Sequence, residues 1–178
     1  MRLALEPHRD SPCPALTGIS VEVAWLAPRR LHLTYVVSGG IEALRLPPLA
    51  SSVRTDELWR HTCLEAFVGE DPARGYREFN FSPSAEWAAY QFTGYRQGMA
   101  PDIQAPDPGL VVEVTDERLT LTATLALDPT TPWRLGLSAV IEAADGSLSY
   151  WALTHPPGRP DFHHAAGFSH TITAIERP

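Results

Sequence analysis

The chain contains no lysine, and all fourteen of its basic residues are arginine. That absence excludes Schiff-base catalysis, pyridoxal phosphate attachment and a phosphate-loop lysine. Cysteine is nearly absent as well, with Cys13 and Cys63 the only two in 178 residues. A chain of this length buries about 70% of its unfolded surface, so it needs no disulfide to hold a core, and free thiols are expected. Positive charge is in deficit, the formal net charge being −7 with the arginines spread along the sequence. Binding to a nucleic-acid backbone is thereby excluded. Long apolar runs are missing too. The N-terminal "MRLALEPHRDSPCPALTG" is broken by Glu6, Pro7 and His8 and fits neither a signal peptide nor a membrane span, so a cytoplasmic location is expected. With seventeen prolines and no sustained 3.6-residue periodicity, long helices are disfavoured.

What is there is alternation. In "RLTLTATLAL", Leu119, Leu121, Ala123, Leu125 and Leu127 fall on one face and Thr120, Thr122 and Thr124 on the other, the pattern of a half-buried strand. The same period-2 pattern fits "ISVEVAWL", "RLHLTYVV", "CLEAFV", "YREFNF", "EWAAYQF", "LVVEVT", "RLGLSAVIEA", "SLSYWALT" and "HTITAI". Turn-forming Pro, Gly, Asp and Ser separate them, and "EAADGSLSYW" has the composition of a hairpin. About ten strands are predicted, in one all-β domain spanning residues 1–178, with a helical turn near "SVRTDELWRH". The aperiodic stretch 94–109 is expected to be a surface loop of the kind that rims binding sites. No internal repeat is present, which disfavours a solenoid or propeller.

The densest chemistry lies in "WRHTCLEAF", residues 59–67. Taken as a strand, it sets Trp59, His61, Cys63, Glu65 and Phe67 on one face and Thr62, Leu64 and Ala66 on the other. The next strand offers Tyr76, Glu78, Asn80 and Ser82 on one side and Phe79 and Phe81 on the other. Trp, two Glu and an Asn thus share what would be the open face of a sheet, suited to a polar ligand. A sheet's solvent face is polar in any case, and Glu65 and Glu78 could simply pair with Arg96 or Arg77 at little energetic gain.

Two segments, "LWRHTCLEAFVGEDPARGYREFNFSPSAEWAAYQF" and "SYWALTHPPGRPDFHHAAGF", resemble the DOMON-like superfamily, in its branch similar to family 9 carbohydrate-binding modules. The specific features are Trp59 six residues before Glu65, the "EFNFSPS" strand end and the late "YWAL" strand. The resemblance covers about residues 20–175. It implies an antiparallel β-sandwich of immunoglobulin or jelly-roll type that holds a sugar between two tryptophans and binds its hydroxyls with Glu, Arg and Asn. On that basis Trp59 is one platform, Trp151 the second, Glu65 the hydroxyl acceptor and Asn80 a further contact, with Arg96 beside them. Glu78 stands where an arginine would suit the family pattern better. The expected function is a non-catalytic module for a carbohydrate or sugar-bearing small molecule, with no cofactor.

Other chemistries compete for the same residues. Zinc would use His61, Cys63 and Glu65 with His155, His163 or His164, but neither Cys-x-x-Cys nor His-Glu-x-x-His is present, so no metal site is expected, with His61, Cys63 and His163 its first candidates. Haem, bound in other DOMON-like branches, would need Met99 and one of those histidines. A Cys63–His61 nucleophile lacks an oxyanion-hole turn, and glycosidase chemistry by Glu65 and Glu78 would need an enclosed transition state. The alternative of another class is a structural or protein-interaction sandwich whose aromatic face docks a partner.

Overall fold

A computed structural model describes residues 1–173 of the chain. Twelve antiparallel strands account for nearly all its regular structure: β1 (Arg2–Pro7), β2 (Leu16–Ala27), β3 (Arg30–Gly39), β4 (Cys63–Gly69), β5 (Tyr76–Phe81), β6 (Trp87–Phe92), β7 (Ala100–Pro101), β8 (Val111–Val114), β9 (Arg118–Ala126), β10 (Trp133–Glu142), β11 (Leu148–Ala152) and β12 (His170–Ile172). Helical structure is confined to three short 3-10 turns among the described residues. None is long and apolar enough to cross a membrane.

All ten expected strand segments contain a strand. The "HTITAI" segment is strand from His170 to Ile172, and its last two residues lie outside the described residues. Two strands escape alternation. β1 is the broken N-terminal run, and β7 is two residues inside the expected 94–109 loop, pinned where Asp102 accepts from Arg77 Nε at 2.7 Å and from Gln91 Nε2 at 2.8 Å. The "EAADGSLSYW" hairpin joins β10 to β11, with Gly146 taking the left-handed conformation (φ 84°) at the turn.

The strands pair in the order β7-β6-β5-β4-β10-β11-β1-β2-β3-β9-β8, and β12 adds to the start of β10. β1 is the joint of this curled sheet. Its first residues pair with β2 and its last two with β11. The curl brings the inward faces of both halves into one core: Val21, Leu33, Tyr35 and Leu121 from one side, Leu64, Phe81, Leu137 and Trp151 from the other. Burial of such side chains contributes about 1.5–3 kcal/mol each. Tyr35 crosses between the halves, its O–H donating to the Glu65 carbonyl oxygen at 2.7 Å. That buried bond fixes the backbone of β4 at Glu65 from behind.

The outward face of the β6-β5-β4-β10 half carries a second apolar cluster made of Leu58, Phe67, Tyr76, Tyr90, Phe92 and Phe168, with Trp59 and Phe162 packed against it. Its cover is the segment 155–168, which runs across the strands. Arg134 Nε holds the Phe168 carbonyl at 2.8 Å, and a Cβ on Gly136 would lie 3.1 Å from the Gly167 carbonyl oxygen. A side chain at position 136 would therefore make the segment shift by a few tenths of an ångström.

Candidate functional site

The register of four strands assembles the floor. Glu65 on β4 lies between Asn80 of β5 and Ser138 of β10, and Phe67 lies between Glu78 and Gly136. Because side chains alternate, Glu65, Glu78 and Ser138 all emerge on the outward face. Three connections raise walls around them: the 3-10 turn Leu58–Arg60, the β6–β7 loop with Arg96 and Met99, and the segment 155–168. They enclose a cavity of about 370 Å³.

Trp59, Phe92, Tyr150 and Phe162 supply its aromatic surface. Trp59 is half-buried and stands edge-on to Tyr90, with ring centroids 5.6 Å apart. It is not on a strand, as the alternation implied. The 3-10 turn intervenes, and Glu57, in the left-handed region at φ 62°, swings the chain so that Trp59 forms a wall. The turn also carries His61 away from the cavity, where its Nδ1 lies 2.7 Å from Glu142 Oε2. Arg96 has a left-handed backbone as well (φ 53°). Such conformations cost non-glycine residues about 1–2 kcal/mol, and two of the four here shape the rim of one cavity.

The polar lining is Glu65, Glu78, Arg96 and His163. Glu65, 2% exposed, accepts from Ser138 Oγ at 2.9 Å, and Glu78, 4% exposed, accepts from Asn80 Nδ2 at 2.7 Å. Burial raises the Glu65 carboxyl to about 8, reinforced by the Glu78 charge and opposed by Ser138 and Arg96. Burial likewise raises Glu78, to about 7, against the Asn80 hydrogen bond and Arg96. The pair therefore titrates near neutral pH, well above the ordinary carboxyl range. His163 moves the opposite way, to about 4, because burial and then Arg96 disfavour its cation while Asp161 only partly compensates.

A proton chain orders the back wall. The Tyr76 oxygen accepts the Arg96 backbone N–H at 3.3 Å and lies 2.7 Å from His163 Nδ1. Burial keeps the phenol protonated, its pKa raised to about 12, so Tyr76 donates to Nδ1 and the imidazole carries its proton on Nε2. That nitrogen faces Glu78 Oε2 at 3.8 Å. Arg96 does not pair with either glutamate. Its Nη2 donates to Asp161 Oδ1 at 2.9 Å, and Tyr95 Oη donates to the other oxygen, latching the β6–β7 loop to the 155–168 segment. Arg77 lies on the opposite face with Asp102.

Of the residues expected at the site, Trp59, Glu65, Glu78 and Arg96 line the cavity. Asn80 does not. It is fully buried behind Glu78, its amide donating to that carboxylate and its carbonyl oxygen 3.4 Å from Cys63 Sγ, so it positions Glu78. Trp151 does not reach the cavity either. It pairs with Ala139 on the inward face, lies in the main core and donates to Ser149 Oγ at 3.1 Å. The neighbouring Tyr150 takes the outward position, as period 2 requires. Strand alternation in "SYWAL" separates Tyr150 from Trp151 but does not say which faces the ligand. Phe162 carried no signal, since loop residues have no period to betray their direction.

The expected metal candidates are dispersed. His61 bonds Glu142, Cys63 is buried against Asn80, and His163 bonds Tyr76. Among the described residues no three His, Cys, Asp or Glu side chains gather as a metal would need. Cys63 is also ill-suited as a nucleophile, because burial and the Glu65 charge push its thiol well above the usual range.

No protein-family model matches the chain, and no curated protein matches it in sequence. Among solved structures it is similar to a candidate carbohydrate-binding protein from Bacteroides uniformis, with a TM-score of 0.69 over 94% of this chain and 83% of that one at 14% identity. Two structures of a family 9 carbohydrate-binding module from Caldicellulosiruptor kristjanssonii, one with cellotriose and one with glucose, give TM-scores of 0.45 and 0.43 at 12% and 14% identity. They cover 86% of this chain and 74% and 76% of theirs. The first likeness establishes a shared fold, and the two weaker ones add nothing to it.

Proposed function

We propose that the chain is a non-catalytic carbohydrate-binding module, a single-domain β-sandwich of the DOMON-like branch similar to family 9 carbohydrate-binding modules. One observation carries the reading: Trp59 and Phe162 bound the same cavity into which the buried Glu65 carboxyl opens. A pyranose has an apolar C–H face for an indole and an edge of hydroxyls for a carboxyl group. Stacking contributes about 0.5–1.5 kcal/mol per ring by analogy with aromatic pairs, and hydrogen bonds to charged groups about 1.5–3 kcal/mol. After the cost of association, an affinity between about millimolar and micromolar follows. The Bacteroides uniformis protein, described as a candidate for carbohydrate binding, shares the fold and supports the reading.

The haem alternative would draw on Met99 and His163, which line one cavity. The residues do not fit it: His163 Nδ1 is held by Tyr76, and Nε2 faces the Glu78 carboxylate. Tryptophan fluorescence titrated with a panel of mono- and disaccharides tests the sugar reading. A saturable response is expected, lost in Trp59→Ala and in Glu65→Gln while both variants stay folded. A folded protein that responds to no sugar overturns it, and a visible absorption band on adding haem would favour the haem alternative instead.

A further inference from the structure

The two carboxyl groups lining the cavity have no ion-pair partner among the described residues. Glu65 and Glu78 are both nine-tenths or more buried, and among the described residues no guanidinium stands at ion-pair distance from either. Arg96 is near enough for its charge to act on both carboxyls but is hydrogen-bonded to Asp161, and His163, 3.8 Å from Glu78, is uncharged at neutral pH. Ser138 and Asn80 satisfy one oxygen each. The other oxygen of Glu65 accepts no hydrogen bond among the described residues, although its side chain lines the cavity. That oxygen opens into the cavity and is free to accept from a ligand. The chain has no lysine to supply an ammonium group, while the surrounding rings of Trp59, Phe92 and Tyr150 are suited to hold one.

We infer that the cavity selects an amine-bearing sugar, with the protonated amine between Glu65 and Glu78 and the sugar ring against the aromatic wall. This rests on the sugar-binding reading and names its ligand class. Entry of the ammonium releases a proton from the carboxyl pair, since a neutral carboxyl must ionise to become its counter-ion. The other groups facing the pair keep their charge between pH 5 and 7. On the strands, Tyr76 and Tyr90 stay protonated because burial raises both. Behind the pair, Tyr35 and Cys63 do the same. From the loops, Arg96 and Asp161 remain an ion pair, and His163 stays neutral.

The test is isothermal titration calorimetry of the whole chain with glucosamine, glucose and N-acetylglucosamine, in two buffers of different ionisation heat. Glucosamine is expected to bind about tenfold tighter than either neutral sugar at pH 7, as a charged hydrogen bond exceeds a neutral one. It should release close to one proton, so its affinity rises by up to about tenfold per pH unit from pH 5 to 6. Glu78→Gln should shrink the ratio of glucosamine to glucose affinity and reduce the proton release. Equal affinities without proton release would overturn the amine preference and leave the sugar reading standing. Propylamine binding as tightly as glucosamine would also overturn it, by reducing the site to a bare cation pocket. If none of these sugars nor the wider panel saturates, both readings fall.

Discussion

The two halves of the curled sheet follow the same alternation and end in opposite states. On β3 and β9 every second residue is fully buried and those between are half-exposed: Thr34, Val36, Thr120, Thr122 and Thr124 face solvent, with only a bond such as His32 Nδ1 to Thr124 Oγ1 at 3.0 Å between them. On β4 both faces are buried along the whole strand. The difference lies in the connections and not in the strands. Among the described residues the outward face of β3 and β9 stays half-exposed, whereas the 58–60 turn, the β6–β7 loop and the 155–168 segment close over β4 and β5. A sheet face becomes a site when loops convert it from a surface into an interior. The groups on it then acquire properties they lack in water, as the raised carboxyls of Glu65 and Glu78 show.

The largest test of that contrast is Phe67→Ala. Phe67 points away from the main core yet is 1% exposed, edge-on to Phe168 and His163 at centroid distances of 5.9 and 5.3 Å. Its removal should cost about 3–5 kcal/mol in urea or thermal unfolding, as much as an inward-facing phenylalanine. A loss below about 1 kcal/mol would mean that the covering segment does not make this face an interior, and the two halves would be alike after all.

Next in size is the pH response, which only the covered half should show. The folded carboxyl values of Glu65 and Glu78 lie at about 8 and about 7, above an unfolded value of about 4.3. An acid whose value is raised by folding stabilises the fold fully below its unfolded value and loses that contribution as pH rises to the folded one. His163 acts oppositely, its lowered value adding stability as pH rises toward about 6.5. The clean window is therefore pH 6.5 to 8. There, unfolding free energy should fall by on the order of 1–3 kcal/mol, measured by urea denaturation, and Glu78→Gln should flatten the slope by removing both one titrating group and its repulsion on Glu65. A wild-type slope of zero in that window would show the pair to be as solvated as the threonines opposite.

Strands were legible because burying one face of a sheet writes itself into the sequence every second residue. Glu65 and Glu78 could be placed on one face for that reason, and Trp59 because of its spacing from Glu65. Asn80 and Trp151 were assigned to the ligand for lack of information about depth and side. Asn80 is on the right face but one layer too deep, and Trp151 sits one residue from the outward position that Tyr150 holds. His163 and the 3-10 turn depend on contacts about 30 to 100 residues distant in sequence, such as Phe67 with His163, which no local pattern encodes. The short β1 and β7 escaped because they are fixed by their partners and by Asp102 more than by their own side chains.

The smallest effect belongs to the uncovered half. Thr122 lies between Thr34 and Val111 in the ladder and is only half-buried, so its outward side chain has water for a neighbour and its hydroxyl loses nothing by being solvated. Thr122→Ala should change unfolding free energy by no more than about 0.5 kcal/mol, the residue's modest strand preference being its main contribution there. That value matters in company with Phe67→Ala, since both residues sit at outward positions of long antiparallel strands and differ in what lies above them. A cost above about 2 kcal/mol at Thr122 would mean that a second covered face exists, and that a layer over the sheet is general to this fold instead of confined to the half that holds the cavity.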